Sequence, residues 1–390
     1  MRLSLLFLSL IPHFLTAQVF SDANFRKEAE TGLHAMYNFE FEKAQAVFDQ
    51  LETKWPEHPA PYFLQATNRW WQTYLSVDMS TYYGYIEKRT ALALEKNKAL
   101  KESYPREFAF FAFMNHALVA RLQSYRDNWM RAFNAARKTI GPVKDCISYV
   151  GNEPEFYMVA GLYHYYVATY GDIYPVARPF LSFFPDGDKE KGLKEIETAG
   201  SLPGLGQHEA NFFLYYIYLD EEERLGDGLA LCGKLTRLFP KNTWFATDYA
   251  RAMVLNGQYD GAGQLLDKII ARYEGQTGHN SRSLDSRSTR YTTHLMTRVY
   301  HIKGLQILRQ HHEYDEALAV FQKSLAMSDL TGIKEDNVVA GSQYYIGVCH
   351  DNLSQRQEAI AAYEDTLDME ENAPFKDRAK QGLKAPVLIR

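Results

Sequence analysis

Cysteine is scarce in this sequence: Cys146, Cys232 and Cys349 are the only three among 390 residues, and no two form a Cys-x-x-Cys pair. That spacing supplies no zinc or redox motif and no dense disulfide framework, and the apolar neighbours of each thiol predict burial. An odd count leaves at least one thiol unpaired in an oxidising compartment, and the sequence leaves open whether the other two meet. Glycine (24) and proline (14) are too few for a collagen-like or linker-dominated chain. Charge of either sign is not in excess: 43 Lys and Arg stand against 48 Asp and Glu, for a net charge of −5. No basic stripe is present, and Arg282, Arg287 and Arg290 are diluted by serines and Asp285. Nucleic acid is therefore not an expected partner.

Catalytic motifs are missing as well. His311-His312-Glu313 lacks the second histidine four residues on that a zinc helix needs to place two imidazoles on one face. There is no Gly-rich phosphate loop and no Gly-x-Ser-x-Gly elbow. Asp186, Asp188, Glu190 and Glu197 copy the oxygen spacing of a calcium loop, but Lys191 occupies the sixth position, where the sharp turn requires glycine. Asp188 is read instead as the N-cap of a helix beginning at Lys189. Glu153 and Glu155 could serve a glycosidase only at a fixed separation, and acids at a helix start ordinarily complement its dipole. No metal, cofactor or enzymatic activity is expected.

The sequence is instead rich in apolar residues, 46% of the chain, and in aromatics, 14%, which require a large core. It opens with Arg2 and the apolar run Leu3 to Leu15, followed by Thr16-Ala17-Gln18. One positive charge, a run too short to span a bilayer and a small residue before a polar one predict a signal peptide over residues 1–17, cleaved between Ala17 and Gln18. Loss of Arg2 would leave 42 basic residues against 48 acidic and a net charge of −6. Gln18 stands where a lipoprotein would carry its anchor cysteine, and no later run is long and apolar enough to cross a membrane. The expectation is a soluble exported protein, periplasmic or secreted.

A spacing recurs along residues 18–390. Gly32 is followed twelve residues later by Ala44, then by Phe48 and by Pro56; Gly347 precedes Ala359 by twelve and Tyr363 by sixteen. Gly304, Ala317 and Phe321 repeat the pattern with one residue inserted, and Ala250, Ala262 and Leu266 fit it. Ala230 to Pro240 and Ala93 to Pro105 carry the helix-ending part. These residues resemble the tetratricopeptide repeat, in which a small residue lets two antiparallel helices approach and proline ends the second. The small-residue anchors are Gly32, Ala66, one near Ala117 to Ala120, Gly161, about Tyr216, Ala250, Gly304 and Gly347. The expected fold is all-α, a solenoid of about seven or eight degenerate hairpins. Residues 76–85 are expected to extend or cap a helix, the proline-rich 171–187 to fold back as an ordered loop, and 274–288 to form a flexible loop. Gly161 to Tyr166 and Phe184 to Leu193 also resemble a stretch of divergent exported helical-repeat proteins.

In the resembled family the first helix of each pair lines a concave groove. Carried over by offset from each anchor, the groove residues are Tyr37, Trp70, Trp71, Tyr165, Tyr166, Trp244, Arg251, Arg298, His301, Tyr344, Asp351 and Asn352. Aromatics with a few arginines suit a protein or peptide partner, and at least one member of the Trp70-Trp71 and Tyr165-Tyr166 pairs is expected in the core. The paired Lys, Arg and Asn of the family's chaperone-binding clamp are not supplied at these positions. The resemblance thus implies a non-catalytic scaffold that binds protein in its groove. A glycan- or nutrient-binding protein similar to repeat-containing surface starch binders is the alternative, and a helical-barrel hydrolase a third. Neither the partner nor the oligomeric state is legible.

Overall fold

Every regular element among the described residues is helical. The computed structural model describes residues 18–74, 79–173, 186–277, 287–331, 336–369 and 373–389. The expected signal peptide, 1–17, most of the 171–187 stretch and residues 278–286 of the 274–288 loop lie outside the described residues. In chain order the helices are α1 (Ala23–Tyr37), α2 (Phe41–Lys54), α3 (Pro59–Tyr74), α4 (Tyr83–Asn97), α5 (Pro105–Ser124), α6 (Trp129–Arg137), α7 (Ile140–Ser148), α8 (Pro154–Ile173) and α9 (Lys189–Ser201). They continue as α10 (Gln207–Tyr216), α11 (Leu225–Leu238), α12 (Thr243–Leu255), α13 (Tyr259–Thr277), α14 (Arg287–Gln310), α15 (Tyr314–Thr331), α16 (Asp336–Asn352), α17 (Arg356–Asp368) and α18 (Ala373–Lys384). A 3-10 turn, Met79–Tyr82, leads into α4, so the described part of the tyrosine-rich segment extends that helix. Helix α13 reaches Thr277, four residues into the segment expected to be loop.

The described residues form two compact units: those within Met1–Met36, Phe41–Trp70 and Gly84–Gln207 make one, and those within Tyr37–Glu40, Trp71–Tyr83 and His208–Arg390 the other. In both, the anchors work through the absence of a side chain. A methyl group on Gly32 would lie 2.3 Å from Phe48 Cε1, one on Gly304 2.6 Å from Phe321 Cε1 and one on Gly347 2.5 Å from Tyr363 Cε1. Each glycine on a first helix therefore receives the edge of an aromatic ring from the second, and all three rings are fully buried. Burial of each ring contributes up to about 3 kcal/mol relative to exposure. In the first unit α8 and α9 meet backbone to backbone: a methyl group on Gly192 would fall 2.4 Å from Tyr165 N, and one on Gly161 2.7 Å from Ile196 N.

The turn inside the hairpin repeats too. Phe39, Glu223, Gly257, His312 and Ser354 have φ of 60, 51, 73, 55 and 61°. Each is the middle residue of a three-residue turn between two helical segments. The positive φ reverses the chain in the fewest residues, and only Gly257 adopts it without steric cost. Phe39, Gly257 and Ser354 stand seven after their anchors, Gly32, Ala250 and Gly347, and Glu223 stands seven after Tyr216, whereas His312 stands eight after Gly304. The extra residue of that repeat is thus absorbed inside α14.

Two expectations require correction. Pro56 and Pro240 follow the ends of α2 and α11 by two residues, but Pro105 is the first residue of α5, where its missing N–H costs nothing. Tyr216 is not a small-residue anchor. The chain passes from it into a π turn, Ile217–Glu221, and the small residue belongs to the second helix, where a methyl group on Gly228 would fall 2.4 Å from Leu219 Cδ2.

Asp188 caps α9 as expected, its carboxylate accepting the Lys191 N–H at 3.0 Å. The three cysteines are buried and unpaired with one another.

Candidate functional site

Four first helices of the second unit, α10, α12, α14 and α16, contribute to one cavity of about 440 Å³. Tyr216 comes from the end of α10, Arg251 from α12, Arg298, His301 and Ile302 from α14, Asn337 and Val338 from the start of α16, and Phe375 from α18. Asp220 from the π turn completes the wall. The volume falls within the range of pockets that hold small ligands or side chains, roughly 300–1,000 Å³. Arg251, Arg298 and His301 are the members of the expected groove set that the structure brings together here.

The arginines are fixed by carboxylates. Arg251 forms a bidentate ion pair with Asp220. Arg298 pairs with Asp248, which is wholly buried and also accepts from the Tyr215 hydroxyl at 2.7 Å and the Tyr216 hydroxyl at 3.2 Å. Trp244 lies beneath: the Arg298 guanidinium sits 5.2 Å from its ring centroid, and its Nε1–H donates to the Tyr216 hydroxyl at 2.9 Å. Burial and the Asp248 charge push the Tyr215 hydroxyl pKa well above its ordinary value, so it stays a donor. This network holds the guanidinium groups in place before any ligand arrives.

His301 is neutral. Burial, reinforced by the charges of Arg298, Arg251 and Arg309, lowers its pKa to about 3. Ser324 Oγ donates to the Thr297 carbonyl at 2.7 Å, Ser342 Oγ donates to Ser324 Oγ at 3.0 Å, and His301 Nδ1 lies 2.9 Å from Ser342 Oγ. Each hydroxyl has one proton to give. Ser342 therefore accepts from Nδ1–H, which leaves Nε2 as the unprotonated nitrogen. The cavity accordingly offers guanidinium donors and one imidazole acceptor against the apolar surfaces of Ile302, Val338 and Phe375.

The remaining expected groove residues lie elsewhere and pack. Tyr37, Trp71 and Tyr165 are buried, Tyr37 donating from its hydroxyl to Glu209 at 2.6 Å and meeting the Trp71 ring edge to face. Trp70 is buried in the first unit with Arg121 over its ring at 4.9 Å, and Tyr166, part-buried, packs its ring on Tyr165. Tyr344 is buried between Tyr363 and Phe375. Trp70, Trp71 and Trp244, each at most 3% exposed, offer no open ring face to a ligand.

Asp351 and Asn352 hold the chain's own tail. Asp351 accepts from the Tyr363 hydroxyl, Arg356 and the Val387 N–H, each at 2.8 Å. Asn352 donates to the Val387 carbonyl at 2.9 Å and accepts from the Ile389 N–H at 3.0 Å. Segment 387–389 thereby occupies the face that the anchor offset assigned to a ligand.

Asp220, Asp248, Asn337 and Phe375 were not among the expected site residues. Part of this was readable, because Trp244, Asp248 and Arg251 follow i, i+4, i+7 spacing on one face of α12. Phe375 belongs to a helix that carries no repeat anchor, so no offset reaches it. A second cavity, about 650 Å³ in the first unit, is lined by Gln45, Asp49, Glu52, Arg69, Tyr85 and Arg89 among others. Its charges engage one another, as in the Arg89–Glu52 pair at 2.8 Å. Among the described residues no cluster of three His, Cys, Asp or Glu side chains could hold a metal ion, and no helix is long and apolar enough to cross a membrane.

Residues 221–277, spanning α11 to α13, match the tetratricopeptide repeat family. The crystal structure of yeast Tom70 aligns with 93% of this chain and 88% of its own, at 11% identity and a TM-score of 0.29. The crystal structure of the P58(IPK) TPR domain aligns with 93% of this chain and 97% of its own, at 17% identity and a TM-score of 0.24. No curated protein matches the sequence.

Proposed function

We propose that this chain, a tetratricopeptide-repeat protein, is an exported, non-catalytic scaffold that binds a segment of a protein partner in the cavity of its second unit. The observation that carries the reading is the convergence of Arg251, Arg298 and His301 from successive first helices on one cavity. Repeats of this kind serve as protein-interaction scaffolds. Two positioned guanidinium groups suit the carbonyl and carboxylate oxygens of a polypeptide, and Phe375, Ile302 and Val338 suit an apolar side chain beside them.

Export rests on residues 1–17, with Arg2, the Leu3 to Leu15 run and Ala17 as the residue before cleavage. N-terminal sequencing of the protein from its native host should begin at Gln18; an unprocessed Met1 would reject export by this route.

The binding test must respect the ion pairs. A glutamate in place of Arg298 would face buried Asp248, and the fold would suffer before binding was probed. The double variant Arg251→Gln/Asp220→Asn removes both charges together. Affinity recovery from envelope extract should lose its partner in this variant while the thermal melt is kept; equal recovery would reject the cavity as the site.

A further inference from the structure

We propose that the outward face of α6 is a peripheral docking surface for an anionic lipid bilayer. The helix is built inside out for a soluble protein. Its inward positions are small and buried, Ala132 and Ala135, whereas Trp129 is 66% exposed and Met130 71% exposed. These neighbours are the two most exposed large apolar side chains among the described residues. At 100° per residue Trp129, Phe133, Arg137 and Met130 share one side of the helix. Tyr125, also exposed, stands in the turn just before it, and the Asn128 side chain caps the first turn by accepting the Arg131 N–H. An amphipathic helix in a soluble domain places its bulky apolar residues inward. A helix that turns an indole and a thioether to solvent presents an element of interfacial binding.

The charge around it selects the partner. Between residues 121 and 144 stand Arg121, Arg126, Arg131, Arg137, Lys138 and Lys144, against the single acid Asp127, in a chain whose net charge is −5. Arg126 reaches Glu87 and Arg121 covers Trp70. Arg131, Arg137, Lys138 and Lys144 are exposed and form no ion pair with a carboxylate among the described residues. The Arg137 guanidinium carbon lies over the Phe133 ring, 6.0 Å from its centroid, which sets a positive charge on the same side of the helix as Trp129. Exposed basic side chains in the same short segment as an exposed tryptophan complement a layer of anionic headgroups above an apolar interior, where indole is preferentially held. Insertion would be shallow, because α6 has nine residues and its inner face packs on α5.

The test uses the full chain and sedimentation with vesicles of phosphatidylcholine containing phosphatidylglycerol, compared with phosphatidylcholine alone. Wild type should pellet with the anionic vesicles, with a blue shift in tryptophan emission, and be released by salt. Trp129→Ser/Met130→Ser should weaken partitioning by about tenfold or more, and Leu238→Ser, which removes an exposed leucine elsewhere, should leave it unchanged. Both variants change exposed residues, and an unaltered thermal melt certifies their fold. No binding of wild type to anionic vesicles, or equal binding by Trp129→Ser/Met130→Ser, would overturn the proposal. Recovery of a protein through Trp129 without vesicle binding would assign the face to that protein and equally overturn it.

Discussion

Gly347 on α16 lies so close to Tyr363 on α17 that a methyl group added to it would stand 2.5 Å from the ring carbon Cε1. The ring is fully buried and its hydroxyl is held by Asp351, so it cannot swing aside. Gly347→Ala gains helix propensity but overpacks this contact. The expected net effect is a loss of about 1–3 kcal/mol. Gly226→Ala on α11, where nothing lies within 4 Å, should be neutral or gain up to about 1 kcal/mol. Urea unfolding of the two variants gives the contrast.

The turns store a smaller strain. Ser354 and Glu223 hold φ of 61 and 51° without being glycine. Ser354→Gly and Glu223→Gly should each stabilise by about 1 kcal/mol, and Gly257→Ala at the equivalent place should destabilise by a similar amount. Thermal melting of the three variants checks the sign.

Asp351 unites the last hairpin with the tail. Its carboxylate is the common acceptor for Tyr363, Arg356 and the Val387 backbone. Asp351→Ala strands a buried phenol and an arginine together, at a cost of about 3–5 kcal/mol. Hydrogen exchange should show earlier opening at residues 387–389 than in wild type.

His301 makes stability sensitive to acid. Its folded pKa of about 3 lies below the ordinary histidine value of 6.5. Below pH 6.5 the unfolded chain takes up a proton that the folded chain refuses, so stability falls from there down to about pH 3. His301→Gln cannot titrate. The difference in unfolding midpoint between pH 7 and pH 4 should shrink in this variant; an unchanged difference would contradict a neutral imidazole at this position.

The hairpins were legible because a small residue on the first helix and an aromatic on the second stand at a nearly constant distance in sequence, as Gly32 on α1 and Phe48 on α2 do. Other features had no such signature. The reversing turn is occupied by Phe39, Glu223, His312 and Ser354, none of which announces a positive φ. Pro105 suits the residue after a helix as well as its first position, and only tertiary context separates the two. An offset from the anchor fixes which way a side chain leaves its helix, but not what covers it. Arg251, Arg298 and His301 meet a cavity, whereas Asp351 and Asn352, chosen by the same rule, meet residues 387–389.

The most direct test of the cavity is in-cell crosslinking from a photoreactive residue at Asn337, on its exposed rim, with Leu238 as the control position. A discrete protein adduct from position 337 alone, lost when Arg251→Gln/Asp220→Asn is introduced, is the predicted result. No adduct from 337, or the same adducts from both positions regardless of Arg251, would contradict a scaffold that binds through this cavity.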